Sequence, residues 1–363
     1  MAKDDKGRQP QAQTQGMAGP GVQMPGVQMP GVQFNPMMAM MQMMQMMGGG
    51  QMPGMMMPGM DPAAVPFAAA QAVDDQDKGL DADVIRPATL THRVKTQEAL
   101  PVGSVLDLLC LTDDGEHALG GLPKGCTMAL AGPPGKGKTR SALAALVTVA
   151  RSGAKVGFVV AEEGFHNPEP AGRDDLCSRL VKLGMLVTGL DEEKLAETVL
   201  DKLYVLESQY HKGQTWDDFI ARYRYLVEKE AISFVVIDSL NMLDPSRSQK
   251  TADNLSALKT YNHEKGVTCL CIGQIKDTGA PAGGEALQHT ADAVFLIEEM
   301  SLGSKEIADF WGGKYRDKID VIRAVKCVTT PIFPHPIRIA RDASYGVMVV
   351  HADQPEELKP FPV

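Results

Sequence analysis

From about residue 86 onward the chain alternates between two hydrophobic patterns. Short runs that are apolar at nearly every position fall near 125–131, 155–161, 203–207, 233–238, 267–274 and 292–298. Between them lie longer segments of mixed character near 138–152, 172–184, 215–230 and 252–264. A short run with no polar face suits a strand covered on both sides, and the longer mixed segments suit helices. Strands alternating with helices predict an α/β fold, a mainly parallel sheet with helices on both faces. The last section breaks the alternation. Runs at 319–328, 332–341 and 346–350 follow one another without helices between them, which predicts antiparallel strands at one edge of the sheet.

The first 85 residues have neither pattern. Pro20-Gly-Val-Gln-Met24, Pro25-Gly-Val-Gln-Met29 and Pro30-Gly-Val-Gln-Phe34 repeat with a period of five, and regular Pro-Gly opposes both helix and ladder. Met37 to Met47 is almost all Met with Gln interruptions, and three glycines end it. Seventeen of the 22 Met precede residue 61, so the Met content describes this tail and not the core. The tail reads as disordered low-complexity chain running into an acidic linker at Asp74 to Asp83. Its Met run also suits docking to a protein partner or to itself, because Met adapts to irregular apolar surfaces. A thioether Cu(I) site is the least supported alternative. The expected domains are a tail and linker at 1–85, a folded domain at 86–355 and a short C-terminal tail at 356–363.

Charge narrows the partners. The net charge is −9, and residues 1–85 supply −4 of it through Lys3, Lys6, Arg8 and Lys78 against eight Asp. Neither part is basic enough to coat nucleic acid, so any DNA contact is a local patch on an acidic body. The six Cys form no CxxC pair and read as buried thiols in a reducing compartment. No run reaches the roughly 18–20 apolar residues that span a bilayer. The N-terminus leads into Gln, Gly and Pro, not into an apolar signal core, so the expected location is cytoplasmic and no membrane is involved.

Candidate chemistry begins where the first buried run ends. Gly132-Pro133-Pro134-Gly135-Lys136-Gly137-Lys138-Thr139 has the Walker A spacing, with an apolar strand before it and a helix from Arg140 to Ala150 after it. Its glycines let backbone N–H groups turn inward around phosphate oxygens, and the helix start adds its positive end. Lys138 reaches the β- and γ-phosphates, and the Thr139 hydroxyl ligates Mg²⁺. Positions 132–140 are therefore the expected ATP cradle.

Hydrolysis needs more than a cradle: a carboxylate to orient water, an acid near Mg²⁺ and a sensor of the γ-phosphate. Each candidate sits at a strand end, where ligands of α/β sheets bind. Glu162 and Glu163 follow the run 155–161, with Glu162 the first choice for the base and a solvated turn the alternative. Phe234-Val-Val-Ile-Asp238 has the Walker B pattern, so Asp238 is the second metal-binding candidate beside Thr139. Gln274 closes the run 267–274 as the sensor, or as an ordinary strand-end amide.

These pieces, in this order, resemble the RecA-type ATPase core, nearest the RadA/Sms branch, with KaiC and DnaB-type helicases as neighbours. Gly120-Gly-Leu-Pro-Lys-Gly125, Val159-Val-Ala-Glu162-Glu163, Val235-Val-Ile-Asp238-Ser239-Leu240 and the run from Ile272 through Glu298 carry the likeness, as does Ile322-Arg323-Ala-Val-Lys326. It covers roughly 100–330. Departures are equally specific. No four-Cys module precedes the core and no protease-like stretch follows it, and Cys-Val-Thr-Thr follows Lys326 where RadA has Asn-Arg-Phe-Gly. Gln274 stands where the branch has His, and 300–318 reads as an insertion.

The resemblance implies a homo-oligomer, ring or filament, with the nucleotide between subunits and a neighbour's cation completing the site. Lys326 and Arg323 match that cation, with Arg316 and Lys318 as reserves and a plain surface Lys as the alternative. His289 matches a family His and reads as a structural hydrogen-bonding residue. DNA, preferably single-stranded, would meet the loops carrying Arg247, Lys250 and Lys276. The implied function is a DNA-acting ATPase of recombination, repair or replication. The alternative is a KaiC-like ATPase with a protein partner, which the acidic body favours. A P-loop kinase would want a lid-like Arg cluster that the sequence does not offer.

Because Pro-Gly repeats and Met-Gln runs contribute little to a packed core, deleting residues 1–85 is expected to leave cooperative melting and basal ATP turnover intact. Loss of the cooperative transition in a thermal melt would refute the expected boundary.

Overall fold

The uniformly apolar runs are the strands of one large sheet. The structure is a computed structural model that describes residues 87–89, 95–167, 172, 174–209, 213–239, 251–274 and 289–363. The low-complexity segment 1–85 and the loops carrying Arg247, Lys250 and Lys276 lie outside the described residues. The chain divides into two units, 1–89 and 90–363. The first unit's described residues are a single 3-10 turn, Pro87–Thr89.

In the second unit, β1 (Ala99–Leu100) and β2 (Leu122–Pro123) form a small antiparallel pair. The main sheet contains β3 (Thr127–Gly132), β4 (Val156–Val160), β5 (Leu203–Glu207), β6 (Phe234–Asp238), β7 (Thr268–Gln274), β8 (Ala293–Ser301), β9 (Lys318–Cys327), β10 (Ile337–Arg341) and β11 (Met348–Val350). Among the described residues its order is β11-β10-β9-β8-β3-β7-β6-β4-β5. The six strands from β8 to β5 are mutually parallel, and β9, β10 and β11 continue the sheet antiparallel.

Alternate residues of each parallel strand feed two separate cores. Met128, Leu130, Phe158, Phe234 and Phe295 point to one side, against α1 (Lys138–Arg151), α2 (Leu176–Thr188) and α3 (Glu192–Thr198). Ala129, Val159, Val235 and Cys271 point to the other, against α4 (Trp216–Glu228) and α5 (Thr251–Lys265). Burial on both faces explains why the strands read as unbroken apolar runs; each fully buried Phe contributes on the order of 1.5–3 kcal/mol.

Boundaries moved where local chemistry outweighed the apolar pattern. α2 starts at Leu176 and not near 172, because the Asp175 side chain caps it by accepting from Ser178 N at 2.7 Å. β10 starts at Ile337 because Pro334 and Pro336 cannot donate to a ladder. The 300–318 segment contributes the end of β8 and a short helix α6 (Lys305–Phe310) that buries Trp311. Helix α3, capped by Asp191, was not apparent in the apolar pattern. No described helix is long and apolar enough to cross a membrane.

A buried polar chain ties the second core to the sheet. The Tyr223 hydroxyl donates to Asn262 Oδ1 at 2.7 Å, and Asn262 Nδ2 donates to Thr127 Oγ1 at 2.9 Å. Thr127 N donates to Asp292 Oδ2 at 2.8 Å, and Asp292 Oδ1 pairs with Lys259 Nζ at 2.9 Å. Burial holds the Tyr223 hydroxyl in its protonated, donating form. Elements α4, α5, β3 and the start of β8 are thus joined at the amino ends of the parallel strands. Asn262→Leu would strand the Tyr223 and Thr127 hydroxyls without partners, at an expected cost of about 2–4 kcal/mol. A urea titration reads the cost; a loss below about 0.5 kcal/mol, the range of a surface change, would refute it.

Candidate nucleotide-binding site

Parallel strands end on one edge, and there β3, β4 and β6 deliver the P-loop, the acidic pair and Asp238. Gly132 closes β3, and α1 begins at Lys138. Gly135 and Gly137 have φ of +74° and +91°, a left-handed backbone that L side chains rarely adopt. Gly137 has a second constraint. A Cβ there would stand 3.3 Å from the Gly346 carbonyl oxygen, so the loop is hemmed in by another part of the chain.

The loop encloses one side of a cavity of about 550 Å³. Pro134, Gly135, Gly137, Lys138, Thr139 and Arg140 line it, opposite Glu162, Asp238 and Ser239. Within it the Lys138 ammonium donates to the carbonyls of Gly132 and Pro133 at 2.8 and 2.6 Å. The Thr139 hydroxyl donates to Asp238 Oδ2 at 2.6 Å. Lys136 faces away from that arrangement: it is tied to Asp320 at 2.7 Å and Glu299 at 3.5 Å, anchoring the loop to β9 and β8. Pro133 and Arg140 complete the motif, Arg140 exposed in the first turn of α1.

The acidic pair separates into two environments. Glu162 lines the cavity, whereas the Glu163 carboxylate is paired with the Arg179 guanidinium from α2. Gln274 ends β7 opposite Gly132, at the same sheet edge, and its side chain lies outside the description.

The electrostatics suit ligands of both charges. Burial lowers the Lys138 ammonium below its ordinary value, against the pull of Asp238 and Glu162. Burial likewise raises Asp238, which the Thr139 hydroxyl opposes and the neighbouring Glu162 and Glu163 reinforce. Both groups gain from a bound counter-charge, phosphate for the lysine and a divalent cation for the aspartate. The Ser239 hydroxyl, buried at the cavity wall without a hydrogen-bond partner among the described residues, is a further polar group left for a ligand or its water shell. Hydroxyl, carboxylate and orphaned hydroxyl form the hard-oxygen donor set that Mg²⁺ takes with phosphate. These residues fit ATP with Mg²⁺.

Lys326 and Arg323 are not brought to this cavity. Arg323 is paired with Glu298 at 2.6 Å, and Lys326 donates to the His289 carbonyl at 2.9 Å. Lys326 lies opposite Val294, which pairs with Ala129 in mid-strand, three positions short of Gly132. Of the reserves, Lys318 is paired with Glu299 at 2.6 Å and Arg316 lies over the Tyr315 ring. Conversely, the cavity includes Arg179, Arg341 and Gly346, which motif reading did not single out. Arg179 had a faint signal, a cation on the helix that follows the acidic pair. Arg341 lies 206 positions from Gly135, and no local pattern links them.

Comparison with known proteins agrees with this geometry. The KaiC ATPase family model matches residues 105–349. The DNA repair protein RadA of Aquifex aeolicus is 29% identical over 194 residues, covering 50% of this chain and 36% of that protein. The chain thus spans little more than a third of that relative's length. The DNA repair and recombination protein RadB of Methanosphaera stadtmanae is 26% identical, covering 50% of this chain and 75% of its own. Protein RecA of Bacteroides thetaiotaomicron is 25% identical, covering 72% and 73%. With a Walker A loop, a Walker B aspartate and a Glu-Glu strand end on one parallel-sheet edge, and a family match across most of the folded unit, the chain belongs to the KaiC family of ATPases and carries a RecA-type core near the RadA branch.

Proposed function

We propose that this chain binds and hydrolyses ATP and, as a homo-oligomer, acts on DNA in recombination, repair or replication. The observation that carries the ATPase part is the 2.6 Å contact between Thr139 and Asp238, with Lys138 and Glu162 on the walls of the same cavity.

Lys138 leaves the Gly132 and Pro133 carbonyls for the β- and γ-phosphate oxygens, exchanging neutral acceptors for charged ones. Thr139 and Asp238, already side by side, would hold Mg²⁺ through their side-chain oxygens or its water shell. When bound, Mg²⁺ neutralises charge that builds on the phosphate chain during transfer. Glu162 accepts a proton from, or orients, the water that attacks the γ-phosphorus. Glu163, held by Arg179, keeps the strand end in place and leaves Glu162 to face the cavity. Lys326 and Arg323, absent from the cavity of their own chain, act on the nucleotide of a neighbouring subunit.

DNA as partner is supported by the names of the RadA, RadB and RecA relatives. A protein partner, engaged through the Met-rich tail, is the second reading. It is supported by the net charge of −9 and the KaiC family match. ATP turnover measured with and without single-stranded DNA decides between them: stimulation supports DNA, and unchanged turnover with intact basal activity supports the protein partner.

The division of labour at the acidic pair is equally testable. Glu162→Gln is expected to bind ATP yet hydrolyse it at least about a hundredfold more slowly, in line with loss of a positioned base. Glu163→Gln is expected to have the smaller defect in single-turnover hydrolysis, and a larger defect there would reverse the two roles.

A further inference from the structure

We infer that Arg341 is a phosphate-contacting residue, supplied by the edge hairpin to the nucleotide site of its own chain and aimed at the γ-phosphate. The inference rests on the reading of the cavity as an ATP site. Four cations line that cavity, Lys138, Arg140, Arg179 and Arg341. Lys138 and Arg140 belong to the P-loop and its helix, and Arg179 is neutralised by Glu163. Arg341 comes from the far edge of the sheet. Among the described residues the one hydrogen bond of its side chain is to a neutral acceptor, the Gly135 carbonyl at 3.3 Å, the long end of the range. The nearest carboxylate in sequence, Asp342, is turned the other way and caps the backbone N–H groups of Ser344 and Tyr345. A guanidinium fork resting on one weak, neutral acceptor beside a phosphate cradle is poised for a doubly charged one.

The hairpin is built to hold it there. Arg341 pairs with Met348 across β10 and β11, and Met348 N donates to the buried Ser141 hydroxyl of α1 at 2.9 Å. The turn is closed by Asp342 N to the Val347 carbonyl and Gly346 N to the Asp342 carbonyl, each 2.8 Å. Gly346 has φ of +66°, and a Cβ there would come within 2.9 Å of Arg140 Nη1, so the turn lies against the start of α1. The Arg341 stem passes over the P-loop, its Cδ 3.7 Å from where a Gly137 Cβ would be. Hairpin, P-loop and helix start are therefore one rigid frame, and the guanidinium has only to turn from the Gly135 carbonyl to a phosphate oxygen. Gly135 precedes the helix start that cradles the inner phosphates. The loop's backbone N–H groups serve the α- and β-phosphates, so the γ-phosphate is the one with oxygens left for a further cation.

Arg341 is exposed, so its replacement leaves the core intact. The test compares wild type, Arg341→Ala and Arg341→Lys, each full length with Mg²⁺, by calorimetric affinity for a non-hydrolysable ATP analogue and for ADP. Loss of a charge-assisted fork should weaken the analogue at least about tenfold in Arg341→Ala while ADP changes by less than about threefold. Arg341→Lys should recover part of the loss, and the ligand-free melting temperature should stay at the wild-type value. Unchanged analogue affinity overturns the assignment. Equal losses for analogue and ADP overturn it too, because they mean that Arg341 only props the P-loop. If wild type itself binds neither nucleotide, the ATP-site reading falls instead, and the two failures are distinct.

Discussion

Parallel pairing of β3, β4, β6 and β7 is the constraint from which the rest follows, because parallel strands must all finish on the same edge. Each ends in a residue with chemistry: the P-loop after Gly132, Glu162 after Val160-Ala161, Asp238, and Gln274. The 99 positions between Thr139 and Asp238 are closed to 2.6 Å by this geometry alone. Antiparallel pairing would have sent alternate strand ends to opposite edges. The covered faces also explain the composition of the strands, whose inward and outward residues are both buried.

The two ends of the parallel strands do different work. At the amino ends, the Tyr223–Asn262–Thr127–Asp292–Lys259 chain is joined link by link by hydrogen bonds and an ion pair, and buried networks of that kind rigidify and specify a fold. At the carboxyl ends, burial disfavours the charge on both Lys138 and Asp238, and the Ser239 hydroxyl has no partner among the described residues. One end is satisfied by the chain itself, and the other is satisfied by what it binds.

The antiparallel edge adds a feature that the parallel core lacks. By docking Met348 on Ser141 and Gly346 beside Arg140, β10 and β11 close the cavity from the side of α1. Lys136, at the centre of the P-loop motif, is engaged by Asp320 of β9 and Glu299 of β8 and so serves as an anchor. The cations read from the sequence as completing the site, Lys326 and Arg323, are engaged elsewhere on their own chain, by the His289 carbonyl and by Glu298.

The sequence by itself determined whatever short-range chemistry writes into a contiguous run. The apolar strands, the Walker A turn with its obligatory glycines, the acid at the end of Phe234–Asp238 and the antiparallel character of the last strands were all legible, because periodicity and backbone freedom are local properties. Cap-dependent boundaries were less so, since Asp175 and the prolines at 334 and 336 outweigh hydrophobic pattern only at particular positions. Tertiary structure alone decided which of two adjacent glutamates faces the cavity, because that turns on Arg179 arriving from α2. It also decided that Arg341 and not Lys326 lies at the P-loop of its own chain. Both are single cations on antiparallel strands, and no pattern along the chain records the hairpin docking that brings Arg341 to Gly135 across 206 positions.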